Sequence, residues 1–332
     1  MSWSSARWAT TAGLTVTLLG SAVGAATSLD VATGERLLVV APHPDDETLA
    51  AGGLVQRVLA RGGSALVVLV TAGDGYVEAV SHETGRPRPR PAEYIAYGAR
   101  RLREARLALR DLGGDGIRAE HLLGFPDGGL EPLLMAHWRR SEPERSPTTG
   151  ARAPPYVESE EPSLRYDGDD LRAALARCLG DLRPTLVALP DPLDRHPDHR
   201  AAGLFTLLAV SDWTARQSPS APPMPRLLAY LVHWPDWPPG WDASAPPPDA
   251  ATLPLDLPTT LPGRGLDRAR LDLTDGEVAT KDRALGEYET QQQAMGAFLA
   301  AFVRRTEPFT VFTAAALRRT IEHPGATIRK GR

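Results

Sequence analysis

Three short apolar runs set the architecture open to this chain. Residues 35–41 (ERLLVVA), 65–71 (ALVVLVT) and 185–190 (TLVALP) carry almost no polar interruption. Runs of that length read as strands buried on both faces. The first leads through a proline-containing turn into residues 46–61, where Leu49, Leu54, Val55, Val58 and Leu59 share one helical stripe and Gly62-Gly63 marks the stop. Residues 97–112 mix apolar side chains with arginines, as an amphipathic surface helix does. A strand over 121–125, a helix over 171–182, a helix over about 199–211 and a later strand within 227–234 (LLAYLVHW) continue the pattern. Strand and helix alternating at these lengths predict an α/β fold: an open, mostly parallel Rossmann-like sheet with helices on both faces.

Two proline-rich insertions interrupt the alternation, near 139–161 and 217–263, and the first reads as a surface insertion. With no internal repeat and no separating linker, residues 33–325 are expected to form a single domain. Before Asp30 the only charge is Arg7, residues 9–23 are apolar apart from threonines, serine and glycine, and Gly24, Ala25 and Ala26 are small. Residues 1–26 therefore read as a signal peptide or an N-terminal anchor, and the chain as exported, periplasmic or extracellular. Membrane contact is expected only if that segment stays uncleaved. A net charge of −4 over 332 residues argues against a nucleic-acid partner, which would call for a basic face. The single cysteine, Cys178, excludes an intramolecular disulfide and a cysteine metal cluster.

Chemistry concentrates in two segments. Pro42-His43-Pro44-Asp45-Asp46-Glu47 follows the first strand, and His196-Pro197-Asp198-His199 follows the strand ending at Pro190. In an open α/β sheet, ligands bind beyond the carboxyl ends of the strands, so the two segments can meet across one crevice. Together they offer imidazoles and carboxylates, the nitrogen and oxygen donors of a hydrolytic metal site. Either segment alone fits a plainer role, acids placed at a helix N-terminus. Both together, each with proline after histidine, favour a shared centre.

These residues resemble the LmbE/PIG-L family of metal-dependent N-deacetylases. Residues 41–47 resemble its AHPDDE signature with a proline inserted after the alanine, and residues 196–199 its second signature. Thr71-Ala72-Gly73-Asp74-Gly75, Arg101-Leu102-Arg103-Glu104, Gly124-Phe125-Pro126-Asp127-Gly128, and Lys281 with Tyr288-Glu289-Thr290-Gln291 extend the likeness. The resemblance implies hydrolysis of an N-acetyl group, most often on N-acetylglucosamine in a small-molecule or glycan substrate. It implies His43, Asp46 and His199 as ligands of Zn2+. Two histidines and one carboxylate also suit Fe2+ or another divalent metal. It further implies Asp45 as general base, His196 as the imidazolium that stabilises the oxyanion, and Asp198 as its orienting partner. Asp127 is a candidate for sugar hydroxyls and Arg88 for an anionic substituent; Glu47 reads as a supporting acid. His82, His121, His137, His233 and His323 lie in no motif and carry no expected role. Three other readings remain: an amidase for a larger acyl group, an inactive carbohydrate-binding protein, and a phosphoesterase, for which the motifs supply few ligands. The oligomeric state is not legible in the sequence.

Overall fold

The structure, a computed structural model, describes residues 26–114, 117–159, 163–218, 220, 223–241, 249–263 and 265–322. The expected leader or anchor lies outside the described residues apart from Ala26, as does His323. Among the described residues no helix is long and apolar enough to cross a membrane. In chain order the elements are β1 (Thr27–Ser28), β2 (Arg36–Ala41), α1 (Asp46–Ala60), β3 (Ser64–Thr71), α2 (Val77–Thr84), α3 (Pro91–Gly113), β4 (Ile117–Phe125), α4 (Leu130–Met135), α5 (Gly168–Leu182), β5 (Leu186–Pro190), α6 (Pro197–Ala215), β6 (Arg226–Tyr230), β7 (Asp267–Asp272), α7 (Asp275–Gly286), α8 (Glu289–Ala300), β8 (Thr306–Phe312) and α9 (Ala314–Glu322).

The strands make one open sheet in the order β1-β7-β8-β6-β5-β2-β3-β4. β6, β5, β2, β3 and β4 run parallel, whereas β8 is antiparallel to both its neighbours. The mostly parallel sheet matches the expectation. The antiparallel edge is new, because β7 (DRARLD) alternates charge with apolar residues and β8 (TEPFTVF) carries Glu307 and Pro308, so neither forms an apolar run. Alternation in β2 shows why the central strands read so clearly. Leu37, Val39 and Ala41 face a core shared with Leu54, Leu102 and Leu285 of α1, α3 and α7. Leu38 and Val40 face the opposite core, with Leu171 of α5 and Phe205 of α6. Both faces are covered, so every position selects an apolar side chain.

Both insertions do more than cover the surface. Residues 139–161 bury Tyr156, whose hydroxyl donates to Asp74 Oδ2. Residues 217–263 bury Trp237, which donates from Nε1 to Asp256 O at 2.9 Å.

From β2 the chain moves to β3 and β4 on one side of the sheet, while β5 and β6 extend the other. The order reverses between β2 and β5, which marks the ligand-binding crevice of an open α/β sheet. The first motif joins β2 to α1 and the second joins β5 to α6. Gly203 lets α6 close onto the end of β5, since a Cβ there would lie 2.4 Å from Pro190 O. That close approach brings His199, one turn earlier, to the crevice.

Candidate active site

The first motif turns sharply. Asp45, the residue before α1, has φ 133° and ψ −33°, a conformation that L residues rarely adopt. Strain of this kind costs about 1–3 kcal/mol and persists only where the surroundings impose it. Two lines of contact do so. Arg101 of α3 donates from Nη2 to Asp45 Oδ2 (2.9 Å) and Pro44 O (2.7 Å), and from Nη1 to Gly73 O (2.8 Å). From the other side, Asp45 N donates to Glu47 Oε2 at 3.1 Å. Burial pushes the Asp45 carboxyl up to about 7, against the pull of Arg101, and the neighbouring Asp46 charge adds to the rise. Burial likewise pushes Glu47 to about 8. Arg101→Met should therefore strand a buried carboxylate and lower stability by about 3–5 kcal/mol, read from a denaturant midpoint.

His43, Asp46 and His199 bring three donor atoms together. His43 Nδ1 lies 3.3 Å from Asp46 Oδ2, His199 Nε2 lies 3.1 Å from the same oxygen, and the two nitrogens are 3.3 Å apart. A tetrahedral zinc with bonds of about 2.0–2.1 Å spaces its ligand atoms about 3.3–3.4 Å apart, so the donor set fits such an ion. Two further groups, His43–His196–His199 and His43–Asp127–Asp198, gather within 4.8 Å. We take the triangle of His43, Asp46 and His199, with all three separations between 3.1 and 3.3 Å, as the candidate metal centre.

The charge balance also calls for a cation. Asp45, Asp46, Glu47, Asp74, Asp127, Asp194 and Asp198 are all buried around the centre, with Arg101 among them. Burial alone would lower the pKa of His199, yet Asp46 and Asp194 raise it to about 9. His43 is raised likewise, burial being outweighed by Asp127, Asp198 and Asp46. Carboxylates that favour cationic imidazoles at this point would equally favour a bound cation, whose ligands must give up their protons.

The supporting contacts revise the sequence reading. Asp198 does not orient His196 through its carboxylate. Its Oδ2 accepts from Gly128 N (2.6 Å) and lies 3.4 Å from His43 Nε2, and its Oδ1 accepts from Leu130 N (3.0 Å). Only its backbone N–H reaches His196 Nδ1, at 3.3 Å. Nor is His196 an imidazolium here: burial, with His43 and His199 beside it, pushes it down to about 4. With Nδ1 accepting, the neutral ring carries its proton on Nε2 and stays a hydrogen-bond donor. Asp127 Oδ1 lies 3.2 Å from His43 Nε2 and its Oδ2 accepts from Gly75 N at 2.6 Å, so both oxygens are engaged, although the residue lines the cavity. Arg88 is not brought to the site; it is exposed, and Arg101 is the arginine that lines the cavity.

Two residues at the centre escaped the sequence reading. Asp194 accepts from His196 N, Val232 N and His233 N (2.8, 2.9 and 2.9 Å) and lies 3.4 Å from His199 Nδ1, an ion-pair separation. Its place two residues before the second motif was the available signal. His233, just past β6, packs its ring 4.8 Å from His199 and stacks on Phe298 at 5.5 Å. The cavity measures about 240 Å³ and is lined by His43, Asp45 and Asp46 together with the apolar Leu49, Met295 and Phe298.

A switch-point crevice that gathers two histidines and a carboxylate, with a buried, strained aspartate beside them, makes a candidate metal-dependent hydrolytic site on an α/β sheet. The chain belongs to the PIG-L family, described as GlcNAc-PI de-N-acetylase, whose match spans residues 38–210. It is 33% identical over 177 residues to the 1D-myo-inositol 2-acetamido-2-deoxy-alpha-D-glucopyranoside deacetylase of Mycobacterium sp. (strain KMS), covering 53% of this chain and 50% of that protein. With the enzyme of the same description from Mycolicibacterium smegmatis it shares 31% over 178 residues, 53% of each chain. The chain thus spans about half the length of these relatives. The N,N'-diacetylchitobiose deacetylase of Pyrococcus horikoshii is similar with a TM-score of 0.48 and 17% identity, covering 84% of both chains.

Proposed function

We propose that the protein is a zinc-dependent N-deacetylase that removes the acetyl group from an N-acetylglucosamine-containing small molecule or glycan. The observation that carries this reading is the triangle of His43, Asp46 and His199 donor atoms with Asp45 buried beside it. The similarity to sugar deacetylases supports the choice of bond.

In this reading His43, Asp46 and His199 hold the ion. When bound, zinc supplies Lewis acidity, polarising the scissile carbonyl and making water acidic enough for a carboxylate to deprotonate. Asp45 takes that proton, and its elevated pKa suits it to return the proton to the leaving nitrogen. His196 donates from Nε2 to the developing oxyanion as a neutral imidazole, a role that needs geometry rather than charge. Asp194 and Asp198 hold the ligand imidazoles, and Arg101 holds the base. The remaining apolar lining receives the sugar and its substituent. The N-terminal segment of the sequence supports an exported enzyme, and with it a cell-envelope or extracellular substrate.

Acetate release from a panel of N-acetylglucosaminyl compounds tests the proposal. Release by the zinc-loaded protein, abolished by chelator and restored by zinc, is expected. Release of a longer acid from N-acyl analogues with none of acetate would move the reading to a larger-acyl amidase.

A further inference from the structure

The strained turn that presents Asp45 is anchored from a distant part of the chain. Glu47 holds the Asp45 amide through Oε2, and its other oxygen, Oε1, accepts from the Tyr288 hydroxyl at 2.5 Å. Tyr288 sits between α7 and α8, 241 residues away in sequence. Its hydroxyl also lies 2.7 Å from Thr48 Oγ1. Glu47, Thr48 and Tyr288 are each fully buried, so none can exchange these partners for water. A carboxylate side chain has several rotamers, and an unanchored Glu47 has no reason to keep Oε2 on one amide. The next residues fasten the same segment to α3: Thr290 donates from Oγ1 to Glu104 at 2.6 Å, and Gln291 donates from Nε2 to Tyr97 Oη at 3.0 Å. The turn into α8 and the first residues of that helix thus clamp α1 and α3, the two helices that hold Asp45 by backbone and side chain.

The geometry points to Tyr288 as a positioning residue for the general base: through Glu47 it keeps the Asp45 backbone in its strained conformation. Tyr288 does not line the cavity, so it reaches the reacting groups only through the residues it holds. This inference rests on the reading of Asp45 as the base.

The experiment compares Tyr288→Phe with wild type in the zinc-loaded full chain, measuring kcat, KM, zinc per chain and thermal stability. We expect kcat to fall about 10- to 100-fold, as for other groups that orient a reacting residue, with KM within about twofold and zinc content unchanged. Tyr288→Phe also leaves Glu47 short of a partner, so stability alone could lower the rate. Thr306→Val, which removes a buried hydroxyl bonded to Leu255 and outside the cavity lining, supplies the comparison: a lower melting temperature with kcat within about twofold of wild type. A crystal structure of Tyr288→Phe should show Asp45 φ relaxed from 133°. A kcat within twofold of wild type in Tyr288→Phe, or a rate lost in Thr306→Val in step with its stability, overturns the inference. If Asp45→Asn itself keeps full turnover, the reading of the base falls instead, and the two failures are told apart.

Discussion

Asp45→Asn is expected to slow acetate release by about 10²- to 10⁴-fold, the span that a positioned general base contributes, while zinc content and KM stay close to wild type. The substitution keeps the side chain's size and its oxygen acceptor, so Arg101 retains a partner for the bond it now makes at 2.9 Å. It removes the one property the reading needs, a lone pair basic enough to take a proton and acidic enough, once charged, to give it back. Quantifying released acetate under saturating substrate, with zinc measured on the same sample, checks this. Retention of more than about one tenth of the wild-type rate would remove Asp45 from the mechanism.

How much of this was legible in the sequence follows from how each residue is held. β2, β3 and β5 read clearly because burial on both faces leaves no polar alternation to confuse them. The two motifs read clearly because both follow such strands, and neighbouring strands at the switch point place them together. The antiparallel edge did not read, since β7 buries only Ala269 and Leu271 and carries charges at its other positions. The family resemblance implied Asp198 as the partner of His196. Its carboxylate instead accepts from amides at the start of α4, 68 and 70 residues away, a partnership only the folded chain creates. Arg101 lay inside a matched motif, but nothing local ties it to Asp45, 56 residues earlier. His233 carries no motif and reaches the centre only because β6 pairs with β5 in register, bringing its end beside the second motif. Tyr156 lay in a segment whose prolines and charges read as surface, yet it closes over Asp74.

His199→Ala should abolish measurable turnover and lower bound zinc well below one per chain, since it removes one corner of the donor triangle and the partner of Asp194. The same reasoning makes a distinctive demand on the metal-free wild type. Asp45, Glu47 and Asp74 have folded values of about 7, 8 and 7, above the 3.8–4.5 of the unfolded chain, so the folded state binds their protons more tightly. His199 does the same, at about 9 against 6.5. A raised folded value contributes stability that is present at low pH and is lost as pH rises through that value. His196 and His233, pushed down to about 4 and 3, act oppositely, but with an unfolded midpoint of 6.5 they have finished titrating in both states by about pH 7.5. Between about pH 7.5 and 9, then, the shifts still titrating, those of Glu47 and His199 foremost, point the same way, each worth up to about 1.4 kcal/mol per pH unit while it titrates. The melting temperature of the chelated protein should fall steadily across that window. Zinc should restore it most at the alkaline end, where the protons it replaces have left the folded state and ligand binding adds most to stability. A chelated protein whose melting temperature is flat from pH 7.5 to 9, or that zinc does not raise, would show that these carboxylates and imidazoles do not form a cation site.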